Sequence, residues 1–365
     1  MGTNHLRSLL ETSRCRVRAW DVDGAARHAV RERLGVETYE TWEELLGDPD
    51  VAGIIIAAPN RFHADMAVAA LEHGKHVLLE KPMALNEPDA ERVASAAERS
   101  GKILHVGFEL RNSLFPLDLK DLIASGELGP LVSGHLVEYR GNFWPQWKGA
   151  RCDGGSMYLM ESCHIIDLFR WLTGDEVETI HAVGSRRNIV RHYDYPDTQF
   201  TTLVFRNAFV GHIHVCHTRA AIPHGYENRG PDSPPCTEFL KPEYGHQYEF
   251  SFVGENGSLH FLPLKKVCHL YTHELRPDGA VWQRLSRTID YSRFADHKPT
   301  IHNTGDEVAE FVAMVLGERG EAIAPRDALM THLVCFAAQE ALEKGVPVQM
   351  ANAPFTATAE PLSLT

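Results

Sequence analysis

Apolar and polar positions follow two different rhythms over the first half of the chain. Short apolar runs such as "VAGIIIAA" (51–58) and "KHVLLE" (75–80) are typical of parallel strands buried on both faces. Longer stretches with helical spacing separate them, and Thr41 and Glu44 have the spacing of a capping box. The pattern predicts strands over 15–20, 36–39, 51–58, 75–80 and 103–108. Strands that alternate with helices in this way indicate a doubly wound α/β sheet.

The pattern changes after residue 108, where the predicted strands follow one another with short turns between them. Segments such as "VSGHLVEYRG", "DTQFTTLVF", "AFVGHIHVCH" and "YEFSFVGENGSLHFLP" predict a large, open, mostly antiparallel sheet with a hairpin at "GENG". Two helices are predicted near 304–318 and 325–344. We therefore expect an α/β domain over 1–108, an α+β domain over 109–350 that includes the helices of 302–345, and a tail over 351–365. An open sheet face exposes apolar area, so we expect a homodimer or homotetramer.

The opening "MGTNHLRSLLE" has the pattern of a glycine turn that leads into a helix. In dinucleotide-binding folds such a turn follows a strand and carries G-x-G-x-x-G, and an acidic residue lies about 20 positions further on. Gly2 matches the third glycine and Asp21 the acidic residue, which predicts a Rossmann-like domain without its first strand and first two glycines. We expect the chain, expressed as written, to be unstable or to bind cofactor poorly. An ordinary N-terminal helix with a tolerated glycine is the alternative interpretation.

Composition excludes several classes of partner. The 365 residues carry a formal net charge of -13, which argues against a nucleic-acid backbone or an anionic membrane as partner. No apolar stretch is long enough to span a bilayer, and the chain does not open with a secretory signal pattern. The seven cysteines are scattered without a C-x-x-C pair, which indicates reduced thiols in a cytoplasmic protein.

The stretch "VLLEKPMAL" resembles the E-K-P motif of the glucose–fructose oxidoreductase and inositol dehydrogenase family, known as Gfo/Idh/MocA. Three further segments match that family in order: "IIIAAPNRFHADMAVAALEHGKHVLLEKP", "VGFELRNSLFPLDLKDLIASGELGPL" and "GGSMYLMESCHIIDLFRWLTGD". The resemblance covers about residues 1–350, and the ordered set of segments is more specific than any one motif. It implies a nicotinamide-dependent oxidoreductase that acts on sugars, polyols or related carbonyl compounds.

Lys81 is the first candidate for proton transfer. It closes an apolar strand at the carboxyl edge of the predicted sheet, where ligands bind in open α/β folds, and Pro82 stiffens the backbone beside it. Oxidation of an alcohol needs a base for the hydroxyl proton, and a lysine serves when burial and nearby positive charge lower its pKa. A solvated lysine paired with Glu80 is the alternative, and the resemblance favours the functional role.

His164 is the second candidate and lies in the predicted helix "MESCHIIDLFRWL". Glu161 and Asp167 are three residues away on either side, so the three side chains share one side of a regular helix. Many family members carry an acidic residue four positions before this histidine, and here that position is Met160. Glu161 is a candidate substrate ligand instead, although it points about 100° further round a regular helix. A capping or core role for His164 stays open.

Other candidate ligands follow from the resemblance. Arg111 matches the family's arginine after the sixth strand and is expected to orient substrate or cofactor, unless it forms a surface ion pair. Trp147, with Trp144 nearby, has the chemistry to stack on a sugar face or to pack within a loop. The long Pro/Gly-rich segment of 224–247 is predicted to be an insertion loop near the substrate pocket or a neighbouring subunit.

Asp21 bears on the choice of cofactor. A carboxylate accepts a hydrogen bond from the ribose 2′-hydroxyl and repels a 2′-phosphate, so NAD is favoured over NADP unless Asp21 only shapes the turn "DVDG". The motifs predict a cofactor site formed by Gly2, Asn4, His5, Asp21, Pro59, Asn60, His63, Glu80, Lys81 and Pro82. Asn60 is equally suited to cap a helix.

The histidines of "VGHIHVCHT" raise the question of a metal. His212, His214 and Cys216 fall on one face of a strand at a spacing suited to a soft divalent ion. No other cluster supplies a matching second pair, and alternation on an exposed face explains them equally well. We therefore expect no metal site.

The sequence favours an NAD-dependent dehydrogenase or reductase of a sugar, inositol or similar polyol. The same scaffold also serves NAD-dependent glycosidases, which oxidise a neighbouring carbon transiently, and a non-catalytic dinucleotide-binding or regulatory protein is the third possibility. Which sugar or polyol is bound depends on loops of the second domain, and a scaffold does not determine function.

Overall fold

The computed structural model describes residues 1–140, 146–185, 187–188, 193–217, 246–263, 266–294, 302–318 and 322–350. The chain divides into two compact units. Unit 1 consists of Met1–Asn112, Cys152–Gly154 and His302–Leu333, and unit 2 of Ser113–Arg151, Gly155–Ile301 and Val334–Thr365. These units differ from the expected domains, because the segment 302–333 groups with unit 1 instead of the second domain.

Unit 1 alternates helices and short strands in the order that the sequence predicts. The elements are α1 (Gly2–Thr12), β1 (Arg18–Ala19), α2 (Gly24–Leu34), β2 (Glu37–Thr38), α3 (Trp42–Gly47), β3 (Gly53–Ile56), α4 (His63–Glu72), β4 (His76–Leu79), α5 (Glu87–Ser100), β5 (Leu104–Val106), α9 (Thr304–Val315) and the first part of α10 (Pro325–Lys344). The capping box of Thr41 and Glu44 is present at the start of α3. The sequence therefore predicts the start of α3 correctly.

The parallel strands of unit 1 form two separate sheets. β1 pairs with β2, and β4 lies between β3 and β5. In the classic doubly wound order, one strand lies between two such groups. None of the described residues takes that position.

Both faces of the β3–β4–β5 sheet are covered. On one face, Leu78 of β4 packs against Val308, Phe311 and Met314 of α9, with Leu9 of α1 beside them. On the other face, α4 contacts β3 and β4 and packs against α5. Because α9 supplies three of the four buried residues of this cluster, the segment that contains it groups with unit 1.

Unit 2 is dominated by one large sheet. Its elements are α6 (Leu114–Ala124), β6 (Leu131–Arg140), α7 (Gln146–Gly149), α8 (Cys163–Thr173), β7 (Val177–Gly184), β8 (Thr198–Phe205), β9 (Val210–Cys216), β10 (His246–Gly254), β11 (Gly257–Leu262), β12 (Val267–Leu275), β13 (Val281–Asp290) and β14 (Val348–Gln349). Among the described residues, nine strands pair in the order β13-β12-β11-β10-β6-β9-β8-β7-β14. All neighbours are antiparallel except β6 and β9. The sequence patterns miss β7, β13 and β14.

One face of this sheet carries α8 at a point where two glycines meet. Gly134 of β6 pairs with Gly211 of β9, and the ring of Phe169 from α8 lies against both. A Cβ atom on Gly211 would lie 2.7 Å from a ring carbon of Phe169. The two glycines therefore form the depression that lets the helix approach the sheet closely.

The opposite face of the sheet has exposed side chains among the described residues. It carries the exposed Phe200 and Val183 and the half-buried His212 and His214, and the ring of His214 stacks on Phe200 with centroids 4.0 Å apart. The predicted alternation of His212, His214 and Cys216 on one face is therefore present.

The remaining expectations concern thiols and membranes. The six described cysteines are free thiols, and Cys236 lies outside the described residues. None of the described helices combines the length and the apolar character needed to cross a membrane.

Replacing Gly211 by alanine tests the close packing of α8 on the sheet. We expect Gly211→Ala to lower the free energy of unfolding by about 1–3 kcal/mol, because the new methyl group overlaps the ring of Phe169. Chemical denaturation measures this change. Gly47→Ala is the matched control, since no atom lies within 4 Å of the added Cβ atom there. Equal stability of Gly211→Ala and wild type would contradict the packing account.

Candidate active site

The E-K-P segment lies at the carboxyl edge of the β3–β4–β5 sheet. The Glu80 amide donates to the Ile56 carbonyl (2.9 Å), and the Gly107 amide donates to the Leu79 carbonyl (2.8 Å), so the ladder continues to the last residue of the central strand and just beyond it. Lys81 follows directly, is half-buried, and precedes a cis peptide bond to Pro82. The sequence prediction for the place of Lys81 in the fold is therefore confirmed.

Two buried histidines hold the backbone after Lys81. The His63 ring lies 2.7 Å from the Pro82 carbonyl and 2.9 Å from the Ala58 carbonyl, and burial lowers the pKa of His63, so its neutral ring donates to one of the two. His332 Nε2 accepts from the Met83 amide (2.8 Å), which places its proton on Nδ1, where it donates to the Ala328 carbonyl. His63 thus positions the E-K-P backbone, and sequence reasoning missed His332, which sits inside an ordinary amphipathic helix pattern.

The first turn of α1 lies at the same edge of the sheet. A Cβ atom on Gly2 would lie 4.0 Å from the Cβ atom of Ala57, which follows β3. His5 Nε2 lies 2.6 Å from the Glu80 carboxylate, which follows β4. A helix N-terminus at the carboxyl edge of a parallel sheet presents amide groups that suit a pyrophosphate.

Asp21 follows β1 and is exposed. Its Oδ1 accepts from the Asp23 amide at 2.9 Å, so the carboxylate shapes the "DVDG" turn. Its neighbours Trp20 and Val22 line a shallow cavity of about 360 Å³ together with Arg27, Glu40, Thr41, Trp42 and Glu43.

The remaining unit 1 candidates form hydrogen bonds or ion pairs with other residues of unit 1. Asn60 is buried and donates to the Gly154 carbonyl at 3.0 Å, and the 3-10 turn that follows Pro59 has no side-chain cap. Arg111 donates to the Asp327 carboxylate at 3.1 Å, as the ion-pair alternative expects. Asn4 lies in the first turn of α1, and its amide donates to the Met1 carbonyl.

A layer of buried charge lies behind the E-K-P segment. Glu307 of α9 lies 3.5 Å from His105, and His302 lies 2.7 Å from Glu109. Burial, and then the charges of Glu109 and Glu80, raise the pKa of Glu307 well above its ordinary value. Glu80 is therefore part of a network of carboxyls and imidazoles, which the sequence did not indicate.

Within unit 2, the predicted helix begins with a different turn. Tyr158–Ser162 is a π-helical turn, in which the Cys163 amide reaches the Tyr158 carbonyl, and α8 starts after it. Glu161 lies in the π turn, whereas His164 and Asp167 lie in α8, and all three side chains are buried. The regular helix expected over "MESCHIIDLFRWL" is therefore wrong at its first turn, since a π turn holds one residue more than an α turn.

Glu161 has two neighbours that the sequence analysis missed. Among the described residues, one group combines the ligand chemistry for a metal ion, namely Glu138, Glu161 and His217. Glu138 lies in β6, and His217 directly follows β9. Both lie on the buried face of the sheet, whereas His212 and His214 lie on the opposite face. Each is a charged or polar residue at a strand position where the alternation predicts an apolar one, and this signal could have identified both.

Some predicted features have no described side chain. Trp147 lies in α7, and nothing of its side chain is described. Trp144 and residues 224–245 of the predicted insertion loop lie outside the described residues.

Comparison with known proteins identifies the family to which this chain belongs. Residues 1–108 match the family described as "Oxidoreductase family, NAD-binding Rossmann fold", and residues 117–260 match the "GFO/IDH/MocA C-terminal domain". The chain therefore belongs to the Gfo/Idh/MocA oxidoreductase family, as the sequence motifs predict.

Individual relatives agree with this assignment. An inositol 2-dehydrogenase of Salmonella typhimurium is 32% identical over 193 residues, which cover 52% of this chain and 56% of the relative. The chain thus matches little more than half the length of that protein. Inositol 2-dehydrogenase 3 of Saccharopolyspora erythraea is 25% identical over 97% of this chain and 94% of its own length. The structure of levoglucosan dehydrogenase in complex with NADH and levoglucosan shares the fold, with a TM-score of 0.70, 22% identity, and coverage of 92% of this chain and 90% of that chain.

The raised pKa of Glu307 predicts a pH dependence of stability. The folded chain keeps a proton on Glu307 that the unfolded chain releases near the ordinary value of 4.5, so stability falls as the pH rises above that value toward the pKa of the folded state. Glu307→Gln removes this loss. We expect the variant to melt a few degrees above wild type at pH 8 and level with it at pH 4, since about 1 kcal/mol shifts Tm by roughly 2–4 °C.

Thermal melts of both proteins from pH 4 to pH 8 measure the difference. Glu32→Gln, at an exposed position of α2, is the control, because it makes the same chemical change away from the buried carboxyls. Parallel melting curves at every pH would show that the Glu307 account is wrong.

Proposed function

We propose that this chain is an NAD-dependent oxidoreductase that transfers hydride between nicotinamide and a carbinol or carbonyl carbon of a sugar, inositol or related polyol. The observation that carries the proposal is Lys81, half-buried at the carboxyl end of the central parallel strand, within the part of the chain that matches the family. Relatives named inositol 2-dehydrogenase, and a neighbour whose structure holds NADH and levoglucosan, support the substrate class.

The residues at this edge fit a dinucleotide. The first turn of α1, with Gly2 and Asn4, would face the pyrophosphate, and Asp21 with the cavity beside it would take the adenosine end. The Pro59–Asn60 turn, His5, His63, Glu80 and Pro82 complete the proposed cofactor site. The bound nicotinamide would supply the hydride acceptor or donor.

In the proposal, Lys81 accepts the hydroxyl proton during oxidation and returns it during reduction. His63 and His332 hold the Pro82–Met83 peptide group in place, so the backbone from which the Lys81 side chain extends has one position relative to the edge of the sheet. His164 is assigned a hydrogen bond to the substrate hydroxyl, and Asp167 is assigned a contact to another hydroxyl of the substrate.

We further propose a homodimer or homotetramer. The open face of the unit 2 sheet exposes Phe200 and Val183, and the β12–β13 hairpin exposes Trp282 and Leu285. A second copy that covers these side chains would remove their apolar area from water.

Replacing Lys81 tests the role in proton transfer. NADH formation with inositols and simple sugars identifies a substrate for wild type, and Lys81→Ala is expected to lower kcat on it by about 10²–10⁴-fold, the usual contribution of a general acid–base group. Lys102→Ala is the matched control, because Lys102 lies at the start of β5, on the opposite edge of the sheet. Unchanged turnover by Lys81→Ala would refute the assignment.

The choice of cofactor is tested with Asp21→Asn. Asparagine keeps a side-chain oxygen for the Asp23 amide but removes the charge, so the turn is preserved. Wild type is expected to bind NADH more tightly than NADPH, and Asp21→Asn to reduce this preference by about tenfold, which corresponds to about 1.4 kcal/mol.

Fluorescence titration with both cofactors measures the ratio. Asp23→Asn is the control, because Asp23 caps α2 and asparagine caps helices equally well. An unchanged ratio in Asp21→Asn would mean that Asp21 serves the turn alone.

A further inference from the structure

Three buried side chains of unit 2 converge on one point. Glu138, Glu161 and His217 are 0%, 4% and 0% exposed, respectively. Each offers one ligand atom, and these atoms all lie within 4.8 Å of one another. Two carboxylates and an imidazole are thus buried close together, away from water.

The sheet brings two of the three together by register. β6 and β9 are the parallel pair of the sheet, and Glu138 lies beside Val215. His217 follows two residues after Val215, so its side chain points to the same face. The His217 amide donates to the Asp197 carbonyl at 2.8 Å, which holds the backbone in extended pairing beyond the end of β9.

The third residue reaches the cluster from an unusual turn. Glu161 belongs to the π-helical turn Tyr158–Ser162, and such single turns occur frequently at functional sites because they cost more than regular helix. The Tyr158 hydroxyl is tied to Thr201 Oγ1 of β8 at 2.8 Å, which fixes the turn against the sheet. The π turn is an observation independent of the cluster itself.

The electrostatics of the cluster favour a cation. Two carboxylates buried together lose hydration and repel each other, so an apolar site disfavours their double ionisation. A divalent ion between them offsets both effects.

We propose that Glu138, Glu161 and His217 bind one divalent transition-metal ion, with Zn²⁺ preferred over Mn²⁺. One nitrogen and two oxygen donors suit borderline ions, and the Irving–Williams order places Zn²⁺ above Mn²⁺. Two ligand atoms about 2.0–2.2 Å from a tetrahedral zinc lie about 3.3–3.6 Å apart. The ligand atoms of the cluster lie within 4.8 Å of one another, so the side chains would move together by at most about 1.5 Å on binding the ion. Three protein ligands leave at least one position for water or another oxygen.

The surroundings of His217 match those of a metal-binding histidine. Its Nδ1 lies 3.4 Å from the Tyr193 hydroxyl, and such outer contacts orient the ring so that Nε2 faces the ion. His212 and His214, by contrast, lie in the opposite phase of β9 and pack against other rings of the open face, among them His135 and Phe200. The proposed site is therefore distinct from the histidine pattern that is most visible in the sequence.

The test is direct metal binding by the full chain without a histidine tag. Chelator-treated protein is titrated calorimetrically with Zn²⁺ and with Mn²⁺, and the metal content after dialysis is measured by mass spectrometry. We expect one Zn²⁺ per chain and a higher Tm with the ion bound. His217→Ala and Glu138→Gln are expected to weaken binding by more than the roughly 10–100-fold that outer-shell contacts contribute.

His212→Ala is the matched control, since it removes a histidine from the same strand but from the opposite face, and it should bind Zn²⁺ as wild type does. Wild type that binds no ion, or His217→Ala that binds it equally well, overturns the proposal. The visible spectrum of the Co²⁺-loaded wild type requires no variant: absorption bands of a four- or five-coordinate ion support the site, and the spectrum of free Co²⁺ refutes it. NADH titration of the same samples keeps this result separate from the proposed oxidoreductase function.

Discussion

The hydrogen bonds at the end of β4 are the constraint on which the candidate active site depends. The ladder joins Glu80 to β3 and Gly107 to β4, so the residue that follows Glu80 leaves the sheet at one defined point. His63 and His332 then hold the backbone on the far side of Lys81 through ring nitrogens. A lysine has four rotatable bonds, and a fixed backbone is what limits the positions that its amine reaches.

Buried charged side chains lie next to the same segment. Glu80 contacts His5, and its charge acts on Glu307 together with that of Glu109. Such networks stabilise only when each charge is compensated, and removing one partner leaves the other buried without its counter-charge. The helices α1 and α9 therefore bear on the E-K-P segment through electrostatics as well as through the apolar core around Leu78.

Unit 2 uses its sheet in a different way. Paired glycines accept the Phe169 ring and bring α8 close to the sheet, and the π turn that precedes α8 directs Glu161 toward Glu138 and His217. Close packing and a polar cluster thus occupy the same face. The opposite face keeps its aromatic and histidine side chains toward solvent in this chain, which is why it is the surface proposed for a second copy.

The sequence by itself determined the order of elements in unit 1, the capping box of α3, the position of Lys81 and the family, because these depend on local periodicity, turn chemistry and short motifs. It did not determine β7, β13 or β14. β14 has two residues, β13 is mostly exposed, and a register shift between Val177 and Thr179 breaks the alternation of β7. Only the tertiary structure decided that α9 joins unit 1, that His332 contacts Met83, and that Glu138, Glu161 and His217 meet. Those contacts join residues 249 positions apart for His332 and Met83 and lie across strand pairings for the others, and no local pattern encodes such pairings.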